Sequence, residues 1–198
     1  MMAKKYQDNR TIPWNAEYKA QYSDYETFLE GYDPQLHAQH DKPERSALLG
    51  ALANSDPTAR QAIAHRLLDD GANAAIISDT GATPLQVLLM NKSRKASDGP
   101  LFRRLVEAGT DINRPFRHHG PPLALLLKST IPDEDAAEFY DAILARDDLD
   151  YDAPAAPGMS QRTLRQLIGT LGVRGRPRFV ERYQAVMRAR GESDELPT

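Results

Sequence analysis

One pattern constrains this chain more than any other: a glycine-to-leucine stretch that returns 38 residues later. Gly71-Ala72-Asn73-Ala74-Ala75-Ile76-Ile77-Ser78-Asp79-Thr80-Gly81-Ala82-Thr83-Pro84-Leu85 reappears, weakened, as Gly109-Thr110-Asp111-Ile112-Asn113 through Gly120-Pro121-Pro122-Leu123. Glycine and leucine lie 14 positions apart in both copies. A repeat of this period denotes one supersecondary unit that buries its apolar face by stacking on its neighbours.

The surroundings repeat as well. Leu48, Ala51 and Leu52 correspond to Leu85, Leu88 and Leu89, then to Leu123, Leu126 and Leu127, then to Leu164, Leu167 and Ile168. Each is an i, i+3, i+4 apolar set, one face of a helix. Pro84 and Pro122 stand at the first helical position, where the missing N–H costs nothing. A second helix precedes each glycine, ending in Ile63, Leu67 and Leu68 before Gly71 and in Phe102, Leu105 and Val106 before Gly109. A left-handed helix cap is expected at both glycines. The unit reads as helix, turn, helix, capping glycine, extended hairpin.

On these residues the chain resembles the ankyrin-repeat family. The matching stretches are Leu67-Leu68-Asp69-Asp70-Gly71-Ala72-Asn73 with Thr83-Pro84-Leu85, and Leu105-Val106-Glu107-Ala108-Gly109-Thr110-Asp111-Ile112-Asn113 with Pro121-Pro122-Leu123. The family signature is Thr-Pro-Leu-His in a period of about 33 residues. Gln86 and Ala124 stand in the histidine position here, and the leucine-to-leucine periods lengthen to 37, 38 and 41. The extra length of the second unit falls in the polar stretch Asn91–Pro100. The resemblance implies an all-α, ankyrin-type solenoid of about four helix pairs with short β-hairpin-like fingers. It runs over residues 42–191, in units of about 42–78, 79–116, 117–157 and 158–191.

Stacked units need modified ends. Residues 1–41 read as an aromatic-rich N-terminal helical cap. Trp14, Tyr18, Tyr22, Tyr25, Phe28 or Leu29, and Tyr32 fall at helical spacing between an N-cap at Asn15 and a stop at Asp33-Pro34. At the other end, Thr163–Leu171 and Phe179–Arg190 form a last helix pair, separated by Gly172 and Gly175-Arg176-Pro177. Residues 192–198 are expected to fray.

Catalytic chemistry is hard to find. The chain has no cysteine, which excludes a disulfide framework, a thiol nucleophile and a cysteine metal site. It also lacks the nucleophile-elbow and phosphate-loop patterns. His37-x-x-His40-Asp41 has metal-like spacing but sits between Pro34 and Pro43 with no second ligand cluster. Asp69-Asp70 and Asp147-Asp148 stand at helix ends, where solvated charge is the ordinary reading. A non-enzyme without cofactor or metal is therefore expected. Met1–Arg10 has no apolar core, and no stretch approaches the ~18 apolar residues of a membrane span. A cytoplasmic monomer is the default expectation.

Net charge is only −3, but it is unevenly spread. Residues 133–152 carry nine acids (Asp133, Glu134, Asp135, Glu138, Asp141, Asp147, Asp148, Asp150 and Asp152) against Arg146, whereas 162–190 carry eight arginines against Glu181. Either the two blocks pack together, or one of them steers a partner of opposite sign. The arginines lack the interleaved aromatics of a nucleic-acid module.

The fingers Ala75–Ala82, Arg114–Gly120 and Tyr151–Gln161 supply the candidate partner-binding residues: Ile77, Asp79, Thr80, Phe116, Arg117, His118, His119, Tyr151, Asp152 and Met159. Ile77 and Phe116 read either as anchors for a partner or as packing between fingers. The expected function is protein binding without catalysis. Family habit and the acidic block suggest a bacterial immunity protein that neutralises a basic toxin; the alternative is a scaffold or regulatory subunit of an enzyme complex.

Overall fold

The computed structural model describes residues 15–39, 42, 45–158, 161–172 and 175–197. Trp14, His40, Asp41, Pro43, Met159 and Arg174 lie outside these residues. Among the described residues the fold is helical and contains no β-strand, only an isolated bridge between Pro154 and Thr163.

Six of the helices begin at a side-chain cap. Asn15 and Asp24 cap α1 (Ala16–Tyr22) and α2 (Tyr25–Leu29), their side chains accepting from Tyr18 N and Thr27 N. Ser46 and Asp56 cap α3 (Ala47–Ala53) and α4 (Pro57–Asp69). Thr83 opens α5 (Pro84–Met90) with a reciprocal capping box to Gln86. After α6 (Gly99–Glu107), α7 (Pro122–Leu127) and α8 (Ala137–Leu144), Thr163 and Gln166 repeat that box at α9 (Leu164–Leu167). A π-helical turn, Ile168–Gly172, leads on to α10 (Pro177–Arg190). Satisfying the orphan N–H groups matters here because several of these helices are too short to persist alone.

The aromatic segment departs from the expected single helix. Asp24 caps a new helix, so the stripe divides: Phe28 is buried, whereas Tyr18 and Tyr22 remain 60% and 66% exposed.

Packing organises the helices into two rows. α1, α3, α5, α7 and α9 touch in succession, and behind them α2, α4, α6, α8 and α10 do the same. The cap is thus itself a helix pair in register with the rest. α1 comes so close to α3 that a Cβ on Gly50 would lie 2.3 Å from the Glu17 carbonyl oxygen, which only glycine avoids. Between the rows lie the repeated apolar residues, including Leu48, Leu52, Leu85, Leu88, Leu123, Leu126 and Leu164, all fully buried. Each contributes about 1.5–3 kcal/mol relative to exposure.

Gly71 and Gly109 adopt φ of +93° and +91°, as expected for left-handed caps. Beyond each, an amide reaches back five residues, Ala72 N to Leu67 O and Thr110 N to Leu105 O. The tail differs from expectation: Leu196 packs against the core, and Asp194 pairs with Arg188 at 2.7 Å.

Two arginines secure the loops inside the units. Arg60 and Asp98 are both fully buried and form a two-pronged ion pair, 3.0 Å from Nε and 2.7 Å from Nη2. The remaining Arg60 N–H groups donate to Asn54 O, Ser93 Oγ and Ser93 O. Arg176, one of the eight arginines of residues 162–190, is 6% exposed. It donates to Leu127 O, Ile131 O, Ser129 O, Ser129 Oγ and the Tyr140 hydroxyl.

Candidate protein-binding surface

The loops that join one unit to the next lie side by side. In the first, Ser78 N donates to Ala82 O and Gly81 N to Ser78 O, both at 2.9 Å. In the second, Phe116 N donates to Gly120 O at 3.0 Å around a short 3-10 turn, Arg117–His119. In the third, Ala155 N donates to Arg162 O at 2.8 Å.

Bonds between loops hold them in a row. Thr110 Oγ1 donates to Ala74 O (2.7 Å) and Arg114 Nε to Gly81 O (3.2 Å). Asn113 joins the second loop to the third, donating to Asp148 O and accepting from Asp150 N. The third loop also passes very close to Gly120, where a Cβ would lie 2.3 Å from Ala155 O.

Gln86 is the residue that sequence reasoning passes over. The sequence marks it only as a replacement for the family histidine, yet it is fully buried. Its Oε1 accepts from Thr83 N, and its amide donates to Arg114 O (2.7 Å) and Gly120 O (3.3 Å) of the second loop. The threonine-x-x-glutamine spacing at 83–86 and 163–166 is the signal that reveals its capping half.

The candidate residues divide by exposure. Asp79, Thr80, Arg117, His118 and Asp152 are exposed, while Ile77 and His119 are half-buried. Phe116 and Tyr151 stand among the candidates for exposed contacts, but both are buried: Phe116 is 7% exposed and Tyr151 6%. His119 stacks on the Phe116 ring, 6.1 Å between centroids, with the Arg117 guanidinium 5.1 Å from it. Tyr151 packs edge-on to Tyr183 at 5.2 Å. Burial pushes the Tyr151 phenol up to about 12, and its hydroxyl has no hydrogen-bond partner among the described residues. Met159 lies outside the described residues.

Between the first loop and the front row of helices runs a groove of about 230 Å³. Leu49, Ala53, Val87 and Met90 supply apolar walls, and Glu17 and Asp79 bring carboxylates.

Elsewhere charge is largely spent internally. Arg182 pairs with Asp141 (2.8 Å), Arg165 approaches Asp152 (3.7 Å), and Arg178 N donates to Asp133 (2.9 Å). The acidic and basic blocks therefore pack against each other. Asp70 binds Arg66 and the Tyr32 hydroxyl, Asp69 binds Arg104, and Asp148 binds Arg146. The acid pairs thus serve the structure. His37 Nδ1 accepts from Asp33 N at 2.8 Å. Among the described residues, no group of three histidines or acids is arranged to hold a metal ion, and no helix is long and apolar enough to cross a membrane.

No family model and no curated protein matches the chain. Among solved structures, it is similar to the crystal structure of a functionally unknown protein from Leptotrichia buccalis C-1013-b. The TM-score is 0.68 and identity 16%, over 90% of this chain and 96% of that one. At that identity the likeness concerns the fold alone.

Proposed function

We propose that this chain is a degenerate ankyrin-type solenoid whose loop row and front groove bind a protein with a basic contact surface, without catalysis. The groove carries the reading. Its apolar walls and the exposed Asp79 carboxylate suit a lysine or arginine side chain whose aliphatic stem lies on Leu49 and Val87. The hydrogen-bonded loops support it, since a rigid row of contacts loses little entropy on binding. The exposed pair Tyr18 and Tyr22, with ring centroids 4.8 Å apart on α1, adds aromatic area of the kind that anchors interfaces.

In its most specific form the partner is a basic toxin and this chain is its immunity protein. The alternative is a regulatory subunit seated on an enzyme by the same surface. The acidic block contributes less than its composition promised, because Asp133, Asp141 and Asp152 already face arginines.

The test is affinity capture from the source organism with the tagged chain, beside an Asp79→Lys/Thr80→Lys variant altered at two exposed positions. One stoichiometric partner, weakened about tenfold or more in the variant, supports the groove. A partner held equally by both chains moves the interface elsewhere. Capture of nothing by a folded chain rejects the binding reading. Rescue of cells expressing the captured protein separates immunity from regulation.

A further inference from the structure

The lengthened loop of the second unit, which follows α5, builds a second kind of surface. Lys92, Arg94, Lys95 and Ser97 face Thr130 and Asp135 of the next unit across a cavity of about 530 Å³. Among the described residues, three cations and one carboxylate line this space.

Arg94 is its unusual member. It is half-buried, and among the described residues its guanidinium donates only to the Asn91 carbonyl (3.0 Å) and the Thr130 hydroxyl (3.2 Å). Among the described residues its buried Nε has no hydrogen-bond partner and it forms no ion pair. Burial and the nearby charge of Arg176 both disfavour its protonated form. The contrast with Arg60 is direct: that guanidinium is buried beside Asp98, with every N–H engaged. A desolvated cation beside a second cation is costly unless an anion shares the space.

We propose that this cavity is an oxyanion site taking a phosphate-like group, with Arg94 as its central donor, Lys92 and Lys95 as flanking charges, and the Ser97 and Thr130 hydroxyls as neutral partners. A tetrahedral oxyanion presents several acceptors to converging donors, the arrangement in which guanidinium recognition is strongest. Asp135 at the rim opposes extended polyanions and favours a compact group. This site is independent of the protein-binding groove, and either can fail without the other.

The experiment is calorimetric titration of the full chain with inorganic phosphate at constant ionic strength, with sodium chloride as the control. Saturable binding of one phosphate per chain is expected, weakened about tenfold or more by Arg94→Met. The double variant Lys92→Met/Lys95→Met, altered only at exposed positions, should show a comparable loss and serves as the test if Arg94→Met does not fold. Phenyl phosphate identifies the source. Affinity equal to that of the free ion indicates a phosphoryl group carried on a larger molecule, whereas its exclusion indicates the free ion. No saturable binding by the unaltered chain, or binding unchanged in the substituted chains, overturns the proposal.

Discussion

Arg60 and Arg176 do similar work in two parts of the molecule, yet they are neutralised differently. Arg60 reaches from α4 into the loop of the following unit and meets a carboxylate, Asp98, within the buried network. Arg176 reaches back from the start of α10 into the loop after α7. There it meets three carbonyls and two hydroxyls, with Asp133 one bond further on through Tyr140. In the first region charge balance is local. In the second the guanidinium closes a loop whose carbonyls have few other donors, and its positive charge is felt at Arg94. A buried arginine can therefore act as counter-ion or as a multidentate carbonyl clamp, and only the latter leaves charge available to a ligand.

That contrast breaks most visibly at Asp98. Replacing it with alanine leaves Arg60 buried without a counter-charge and should cost about 3–5 kcal/mol in denaturant unfolding. The double change Arg60→Met/Asp98→Leu should recover most of the loss. If it does not, the hydrogen bonds to Asn54 and Ser93 outweigh the charge pairing.

Arg176→Met should cost somewhat less, about 2–3 kcal/mol, because it strands carbonyl oxygens rather than an ion. The loss should appear in hydrogen exchange as faster opening of residues 128–135, with α4 unaffected. Equal opening throughout the chain would show that the two clamps belong to one cooperative unit.

Acid should weaken both halves modestly. His37, His65 and His119 are each held below the ordinary histidine value of 6.5, chiefly by burial, and His65 and His119 also by neighbouring cations. A base with a lowered folded pKa binds fewer protons folded than unfolded. Its stabilisation is therefore complete above the unfolded value and declines as pH falls from there towards the lowered folded value. Melting temperatures measured on either side of about pH 6.5 check this. His65→Gln should remove part of the decline in the N-terminal half, and His119→Gln part of it around the second loop.

The smallest effect belongs to the contact between the acidic and basic blocks. Arg182→Ala removes a partly exposed pair with Asp141, and the unfolding free energy should change by less than about 1 kcal/mol. A larger loss would mean that the blocks act as a network rather than as separate surface pairs.

Much of the helical pattern was legible because its causes are local. Asn15, Pro84, Pro122, Gly71 and Gly109 behave as their spacing implies, since caps, proline geometry and left-handed glycine act within a few residues. The front-row leucines could be read for the same reason, one helix face being defined by its own period. The candidate surface was less legible. Phe116 and Tyr151 have the composition of exposed anchors, but His119 of its own loop stacks on the first and Tyr183 of α10 packs against the second. Arg176 reads as one arginine among eight until the chain brings it to carbonyls 45 to 49 positions away.

By itself the sequence determined where the repeated helices start and that successive units share one pattern, because those choices depend on the backbone and on nearest neighbours. Tertiary structure alone decided which distant charges are spent on each other, which aromatics are covered, and that Thr130 and Asp135 close the cations of residues 92–95 into one cavity. Those outcomes depend on units stacking some 38 residues apart, where desolvation and Coulomb energy join groups that no local rule connects.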